Sequence, residues 1–186
     1  MKNVCFVCVI HEKVKPYLKD FVDSLDHQTN DNFDFIVFND GLNIKDLDFK
    51  FSSTRLKIIN VFGSPVEIRN CMIRFLISSN YEYCVFGDAD DFFEKNRIAE
   101  NLRLLQTCDL VVNDVHLVDS KGQLLKENYF SKRIKNHFPI TPEFLVDKNI
   151  IGLGNTAIKV KLLSEELIVS ENLIAVDWQI FSRVLL

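Results

Sequence analysis

Continuous apolar runs alternate with segments of helical spacing through the first 105 residues. The runs cover residues 4–10, 33–38, 56–62 and 83–86. Runs of this kind are typical of strands that are buried on both faces of a parallel sheet. The helical segment between the first two runs supplies the crossover that parallel neighbours need, whereas residues 46–53 are polar and irregular. We therefore predict an α/β domain with an open, largely parallel central sheet flanked by helices.

The length and composition of the chain fit one globular domain, and its net charge argues against nucleic-acid binding. The chain has 186 residues, a net charge of −4 and 16 phenylalanines. One domain with an aromatic-rich core is expected at this length. The negative balance gives no basic face for nucleic acid, so no nucleic-acid partner is expected.

The five cysteines indicate a reducing compartment. They lie mostly in apolar runs, and the count is odd. Cys5 and Cys8 fall within one predicted strand and should point to opposite faces. We expect free thiols and a cytoplasmic location. The apolar run near the N-terminus is too short to span a membrane.

Three carboxylates follow the run at residues 83–86, in the order Asp88-Ala89-Asp90-Asp91. A helical pattern begins shortly afterwards, near Asn96. Ligands collect at the carboxyl ends of the strands in such sheets, and a divalent cation relieves the repulsion between neighbouring carboxylates. A site for a metal and a diphosphate is the first hypothesis. The alternative is an acidic turn in which Asp90 or Asp91 caps the next helix.

A second acidic strand end is expected at the same edge of the sheet. The run at residues 33–38 ends in Asn39-Asp40-Gly41. Both ends would line the crevice in which nucleotides bind. The structural alternative is a simple Asp-Gly turn.

The order of these motifs resembles that of family 2 glycosyltransferases of the GT-A fold. The matching stretches are His27-Gln28-Thr29, the strand end at residues 36–42, Glu67-Ile68-Arg69-Asn70, the acidic stretch at 88–91, and the late segment at 176–183. Each motif is short, and the ordered set covers nearly the whole chain. The resemblance implies a GT-A type domain, with residues 1–105 as the nucleotide-binding half and 106–186 as the acceptor-side half. The chain ends within an apolar helical run, as expected of a domain truncated at its C-terminus.

The resemblance assigns the donor side by position. Asp40 would accept a hydrogen bond from the base of a nucleotide sugar, with a UDP-sugar favoured. Arg69 would lie near the base or the diphosphate, and Asp88 would hold the ribose.

The resemblance also implies the metal and the catalytic base. Asp90 would bind Mn²⁺ or Mg²⁺, with Asp91 as its neighbour or second ligand. Asp177 would be the general base of an inverting transfer to a saccharide or lipid-linked acceptor, as in polysaccharide biosynthesis. The alternative for Asp177 is a helix cap.

Departures from the family pattern leave two rival functions open. Residues 10–13 read Ile-His-Glu-Lys, Asn39 stands in place of an acid, and Leu42 in place of a serine. These changes motivate a non-catalytic nucleotide-sugar-binding or assembly module of the same fold. A nucleotidyltransferase on a similar sheet is the other rival, but the chain lacks a glycine-rich loop after its first strand.

Three further features have both a site interpretation and a structural one. Trp178 is expected either to stack under an acceptor sugar or to pack the last helix. His116 falls near the predicted crevice. The basic loop around Lys132, Arg133, Lys135 and His137 is expected to be a solvated surface, with closure over a diphosphate or peripheral contact with an anionic membrane as the alternatives.

Overall fold

The computed structural model describes residues 3–47, 56–132, 140–146, 148–170 and 175–185. The strands in these ranges are β1 (Val4–His11), β2 (Asp34–Asp40), β3 (Leu56–Val61), β4 (Tyr83–Phe86), β5 (Leu110–Val112), β6 (Leu117–Val118), β7 (Leu124–Lys126) and β8 (Thr156–Lys159). The α-helices are α1 (Leu18–Asp26), α2 (Pro65–Ile77), α3 (Arg97–Leu104), α4 (Pro142–Leu145) and α5 (Val176–Val184). Residues 48–55 and 133–139, which include three of the four residues of the predicted basic loop, lie outside the described residues.

The central sheet has six strands in the order β3-β2-β1-β4-β8-β5. Strands β3, β2, β1 and β4 pair in parallel, whereas β8 runs antiparallel to both β4 and β5. The prediction of a largely parallel sheet flanked by helices is confirmed. The parallel strands end at one edge, where His11, Asp40 and Val61 stand side by side.

Two hydrophobic cores cover the two faces of this sheet. Helices α2 and α5 pack on the face that carries Cys5, and α1 and α3 pack on the face that carries Cys8. The two thiols therefore point to opposite faces, as predicted, and all five cysteines are free. Phenylalanines fill the second core, with Phe6 within 6.4 Å, centroid to centroid, of four other rings.

Helix α2 begins where its sequence provides a complete N-terminal signal. Pro65 opens the helix, and the Ser64 hydroxyl accepts a hydrogen bond from the Glu67 backbone N–H. The Glu67 carboxylate in turn accepts from the Ser64 N–H at 2.6 Å. This capping box fixes the start of α2 at the carboxyl edge of the sheet, and it positions Arg69 in the second turn.

The chain turns away from the central sheet after β5. The Asp114 carboxylate accepts hydrogen bonds from the Val115 and Phe130 N–H groups, and this turn follows directly on β5. Strands β6 and β7 then form a short antiparallel hairpin. The chain returns to the central sheet as β8, which the local pattern did not predict.

None of the helices among the described residues is both long enough and apolar enough to cross a membrane.

Candidate functional site

The acidic turn begins where β4 ends, directly after Gly87. The Asp91 N–H donates to the Asp88 carbonyl at 3.2 Å, which closes a tight turn. Asp88 is half-buried, and Asp90 and Asp91 are exposed. Helix α3 begins only at Arg97, with Asn96 at its N-cap position. Neither Asp90 nor Asp91 is therefore a helix cap, so the predicted capping alternative is wrong.

The electrostatics of the turn disfavour three ionised carboxylates. Desolvation raises the pKa of Asp88, and the charges of Asp177 and Asp90 add to this effect against an opposing contribution from Arg69. Desolvation and the charges of Asp88 and Asp90 raise the pKa of Asp91 to about 6. A cation placed at this turn would relieve the repulsion.

A buried arginine lies behind the turn. The Arg97 Nη2 group donates to the Phe86 carbonyl at 2.6 Å and to the Gly154 carbonyl at 2.8 Å. Its guanidinium carbon lies 4.2 Å from the centroid of the Phe93 ring. Burial lowers the pKa of Arg97 to about 10, although Asp91 and Asp88 act in the opposite direction. No role for Arg97 was predicted from the sequence.

Glycine lets the loop before β8 approach the acids closely. A Cβ atom built on Gly154 would lie 2.6 Å from Asp88 Oδ2 and 3.1 Å from Asp91 Oδ2. The carboxyl group of Asp91 is therefore covered on one side, although the residue as a whole is exposed. Gly154 was not among the residues that the sequence predicted for the site. The signal for Gly154 was its place between Leu153 and Asn155 in a Gly-x-Gly-Asn run.

Arg69 and Asp177 form an ion pair close to Asp88. The Arg69 Nε group donates to Asp177 Oδ1 at 3.1 Å, and both side chains are largely buried. Ala175 occupies the N-cap position of α5, so Asp177 is not its cap. Both charges act on Asp88, which places the pair and the acidic turn at one site. A cavity of about 290 Å³ lies beside the pair, between the starts of α2 and α5.

Asp40 lies at the same edge of the sheet, two strands away from the acidic turn. It is the last residue of β2, opposite His11 of β1 and Val61 of β3. Its neighbour Asn39 is buried and accepts from the Leu42 N–H while donating to the Leu42 carbonyl. The side-chain amide of Asn39 can make both hydrogen bonds, whereas an ionised carboxylate at this position could only accept. The replacement of an acid by Asn39 is thus explained by the turn.

Among the residues the structure describes, no group of three or more His, Cys, Asp or Glu side chains is arranged to hold a metal ion by itself. The acidic turn still offers the carboxylates of Asp90 and Asp91. Magnesium and similar cations commonly use one or two carboxylates and complete their coordination with water and substrate phosphates. The donor set therefore fits a cation that arrives together with a diphosphate.

Two further candidates, His116 and Trp178, lie outside the acidic turn. His116 accepts a hydrogen bond from the Asn128 N–H through Nδ1, which ties the hairpin to the following turn. Trp178 is half-buried beside the cavity, and its buried Nε1 has no hydrogen-bond partner within the described ranges. Its two interpretations both stay predictions.

This architecture, a largely parallel sheet with an acidic turn at the end of β4, is of the GT-A type, the fold of the glycosyltransferase structures to which it is similar. No family model matches the chain. A search of curated proteins finds an uncharacterized glycosyltransferase of Methanocaldococcus jannaschii, 24% identical over 164 residues, which are 80% of this chain and 57% of that protein.

Solved structures agree on the fold. The TarS fragment 1–349 of S. aureus, in complex with UDP-GlcNAc, superposes with a TM-score of 0.72 at 19% identity, over 100% of this chain and 53% of that one. The mannosyltransferase PcManGT of Pyrobaculum calidifontis, in complex with GDP-Man and Mn²⁺, gives 0.65 at 14% identity, over 98% and 52%. The predicted resemblance and GT-A fold are confirmed, and the chain spans about half the length of these proteins.

Proposed function

We propose that this protein is an inverting, metal-dependent glycosyltransferase that moves a sugar from a nucleoside diphosphate to a hydroxyl group of a glycan or lipid-linked acceptor. The observation that carries the proposal is the meeting of the acidic turn with the Arg69–Asp177 pair at one edge of the sheet. The relatives support the donor class, since TarS binds UDP-GlcNAc and PcManGT binds GDP-Man.

The donor would lie along the carboxyl edge of the sheet. Asp40, at the end of β2, would accept a hydrogen bond from the base, with uracil favoured. Asp88 would hold the ribose, and the Arg69 guanidinium would face the diphosphate. The helix dipole does not stabilise a cation in the second turn of α2. The position of Arg69 therefore favours a functional role, such as binding an anion.

The metal would be held by Asp90, with Asp91 as a second ligand, and Mn²⁺ or Mg²⁺ is the expected ion. When bound, such an ion neutralises the charge that develops on the diphosphate leaving group. The Mn²⁺ in the PcManGT complex supports this choice. Desolvation is the main cause of the raised pKa of Asp88 and of Asp91, and binding of the ion would offset the smaller contribution that comes from the neighbouring carboxylates.

Asp177 would remove the proton from the acceptor hydroxyl as it attacks the anomeric carbon. The hydrogen bond from Arg69 orients the carboxylate at 3.1 Å. Because Asp177 is carried by α5 and the acidic turn by β4, base and leaving group can lie on opposite sides of the sugar. In-line attack with inversion of configuration requires that arrangement.

A role in polysaccharide biosynthesis in the cytoplasm follows from the same proposal, with peripheral membrane contact if the acceptor is lipid-linked. The single-domain division into a nucleotide-binding half and an acceptor-side half stays a prediction.

Binding is the first experiment. Thermal unfolding is measured with UDP, GDP, CDP and ADP, each with and without Mn²⁺. A ligand at a hundredfold excess over its Kd stabilises the folded state by about 2.7 kcal/mol. We expect a Mn²⁺-dependent rise in Tm with one nucleotide, lost in Asp90→Ala and kept in Glu127→Ala, which removes an exposed acid of the hairpin segment. The absence of a shift with every nucleotide would refute the donor site.

Chemistry is tested separately with Asp177→Asn. This variant should keep nucleotide binding within about threefold, because Asn still accepts a hydrogen bond from Arg69, and it should lose sugar transfer and donor hydrolysis by at least 100-fold. The product anomer, determined by NMR, tests inversion. Nucleotide-sugar binding without turnover of any donor would favour the non-catalytic module instead.

A further inference from the structure

The carboxylates of Asp88 and Asp91 pack against the backbone of Gly154. A Cβ on this residue would lie 2.6 Å from one carboxylate oxygen of Asp88 and 3.1 Å from one of Asp91. Real Cβ atoms are not found at the first of these distances. The absence of a side chain at residue 154 therefore sets where both carboxylates can lie.

The loop that carries Gly154 is held firmly from its own side. The Asn155 side chain donates to the Ile150 and Asn113 carbonyls and accepts from the Gly152 N–H at 2.9 Å. The Thr156 hydroxyl donates to the Gly152 carbonyl. Strand β8, which starts at Thr156, is paired on both sides, with β4 and with β5. The loop cannot retreat without breaking these bonds.

Arg97 joins this loop to the strand that carries the acids. One nitrogen of its guanidinium donates both to the carbonyl of Phe86, two residues before Asp88, and to the carbonyl of Gly154. Arg97 is buried between them, against the ring of Phe93. The separation between the acidic turn and Gly154 is thus fixed by a rigid, planar group.

We infer that Gly154 is a positioning residue of the donor site. Arg97 and Asn155 hold the loop in place, and because residue 154 has no side chain, the Asp88 and Asp91 carboxylates can pack directly against its backbone. The inference rests on the proposed function for its ligand. Gly154 has no positive φ, so alanine is acceptable to its backbone. The clash in Gly154→Ala therefore falls on the two flexible carboxylates.

The test compares Gly154→Ala with Gly152→Ala, the same substitution two residues earlier. A Cβ on Gly152 would have its nearest neighbour 3.7 Å away, at Asn155 Oδ1, which is ordinary contact. Crystal structures without ligand report the carboxylate positions, and calorimetry reports the affinity for UDP with Mn²⁺. In Gly154→Ala we expect the Asp88 carboxylate to move by more than 1 Å while residues 152–156 stay in place.

The affinity for UDP with Mn²⁺ should fall by 10- to 100-fold in Gly154→Ala, as is typical when groups that orient metal ligands are disturbed. The Tm should stay within about 3 °C of that of the wild type, and Gly152→Ala should bind within about twofold of it. Unmoved carboxylates, unchanged affinity, or a variant that fails to fold would each overturn the inference. If the wild type binds no nucleotide, the proposed function fails, while the ligand-free structures still decide whether Gly154 seats the two acids.

Discussion

Asp91 is expected to destabilise the folded protein at neutral pH. Its pKa is raised from 3.8 to about 6 by desolvation and by the charges of Asp88 and Asp90. One pKa unit corresponds to about 1.4 kcal/mol, so this change sets an upper bound of about 3 kcal/mol. Asp91 is exposed as a residue, and water screens its charge. We therefore expect Asp91→Asn to be more stable than the wild type by about 1 kcal/mol at pH 7.

The pH dependence follows from the direction of the change. The folded state holds the Asp91 proton to a higher pH than the unfolded state, so the wild type loses stability between about pH 4 and pH 6. The asparagine variant lacks this loss. The difference in unfolding free energy should be small at pH 4, grow through this range and level off near pH 7. Urea denaturation at half-unit intervals of pH, followed by Trp178 fluorescence, measures it.

Asp114→Asn is the matched control with the opposite sign. Desolvation acts against the change, but hydrogen bonds from Ser131, Phe130 and Val115 lower the pKa of Asp114. Its contribution to stability is therefore present above its ordinary pKa and is lost as the pH falls through the lowered one. This variant should be less stable than the wild type at pH 7. A stability difference for Asp91→Asn that is negative at pH 7, or constant with pH, would refute the electrostatic reasoning.

Three further substitutions test the framework of the site, each by urea denaturation at pH 7. Ser64→Ala removes the capping box of α2 and should cost about 1 kcal/mol, whereas Ser120→Ala, in an exposed turn, should have little effect. Arg97→Met leaves the buried carbonyls of Phe86 and Gly154 without their donor and should cost about 3 kcal/mol, so a neutral result would contradict the assigned hydrogen bonds. Gly87→Ala places a Cβ 2.3 Å from the fully buried Phe6 ring. This variant should cost about 2 kcal/mol, and full stability would show that the ring moves aside.

The local pattern of the chain determined the parallel half of the fold. Four apolar runs predicted β1 to β4, because strands buried on both faces must be apolar throughout. Helical spacing after the first and third runs predicted α1 and α2. The end of β4 was visible from the change at Gly87, and the acidic turn from its composition. Asp40 was placed at the same edge because parallel strands end together.

Contacts between distant parts of the chain were decided by the tertiary structure alone. Arg69 and Asp177 are 108 positions apart, and only the packing of α2 and α5 on one face of the sheet brings them within 3.1 Å. Strand β8 lies between β4 and β5 and pairs antiparallel with both of them. The local periodicity of the sequence does not encode this pairing. That insertion brings Gly154 against the acids.

The same limit explains why the contacts of Arg97 and Asn39 were not predicted. Arg97 is buried, and the carbonyls of Phe86 and Gly154 accept hydrogen bonds from it while the ring of Phe93 packs against its guanidinium. Asn39 departs from a family pattern for a reason found in its turn, where its amide both donates and accepts. Sequence shows which residue types are present and in what order, and hence the elements and the acidic motif. The partners that make a buried charge or a close approach tolerable exist only once the chain has folded.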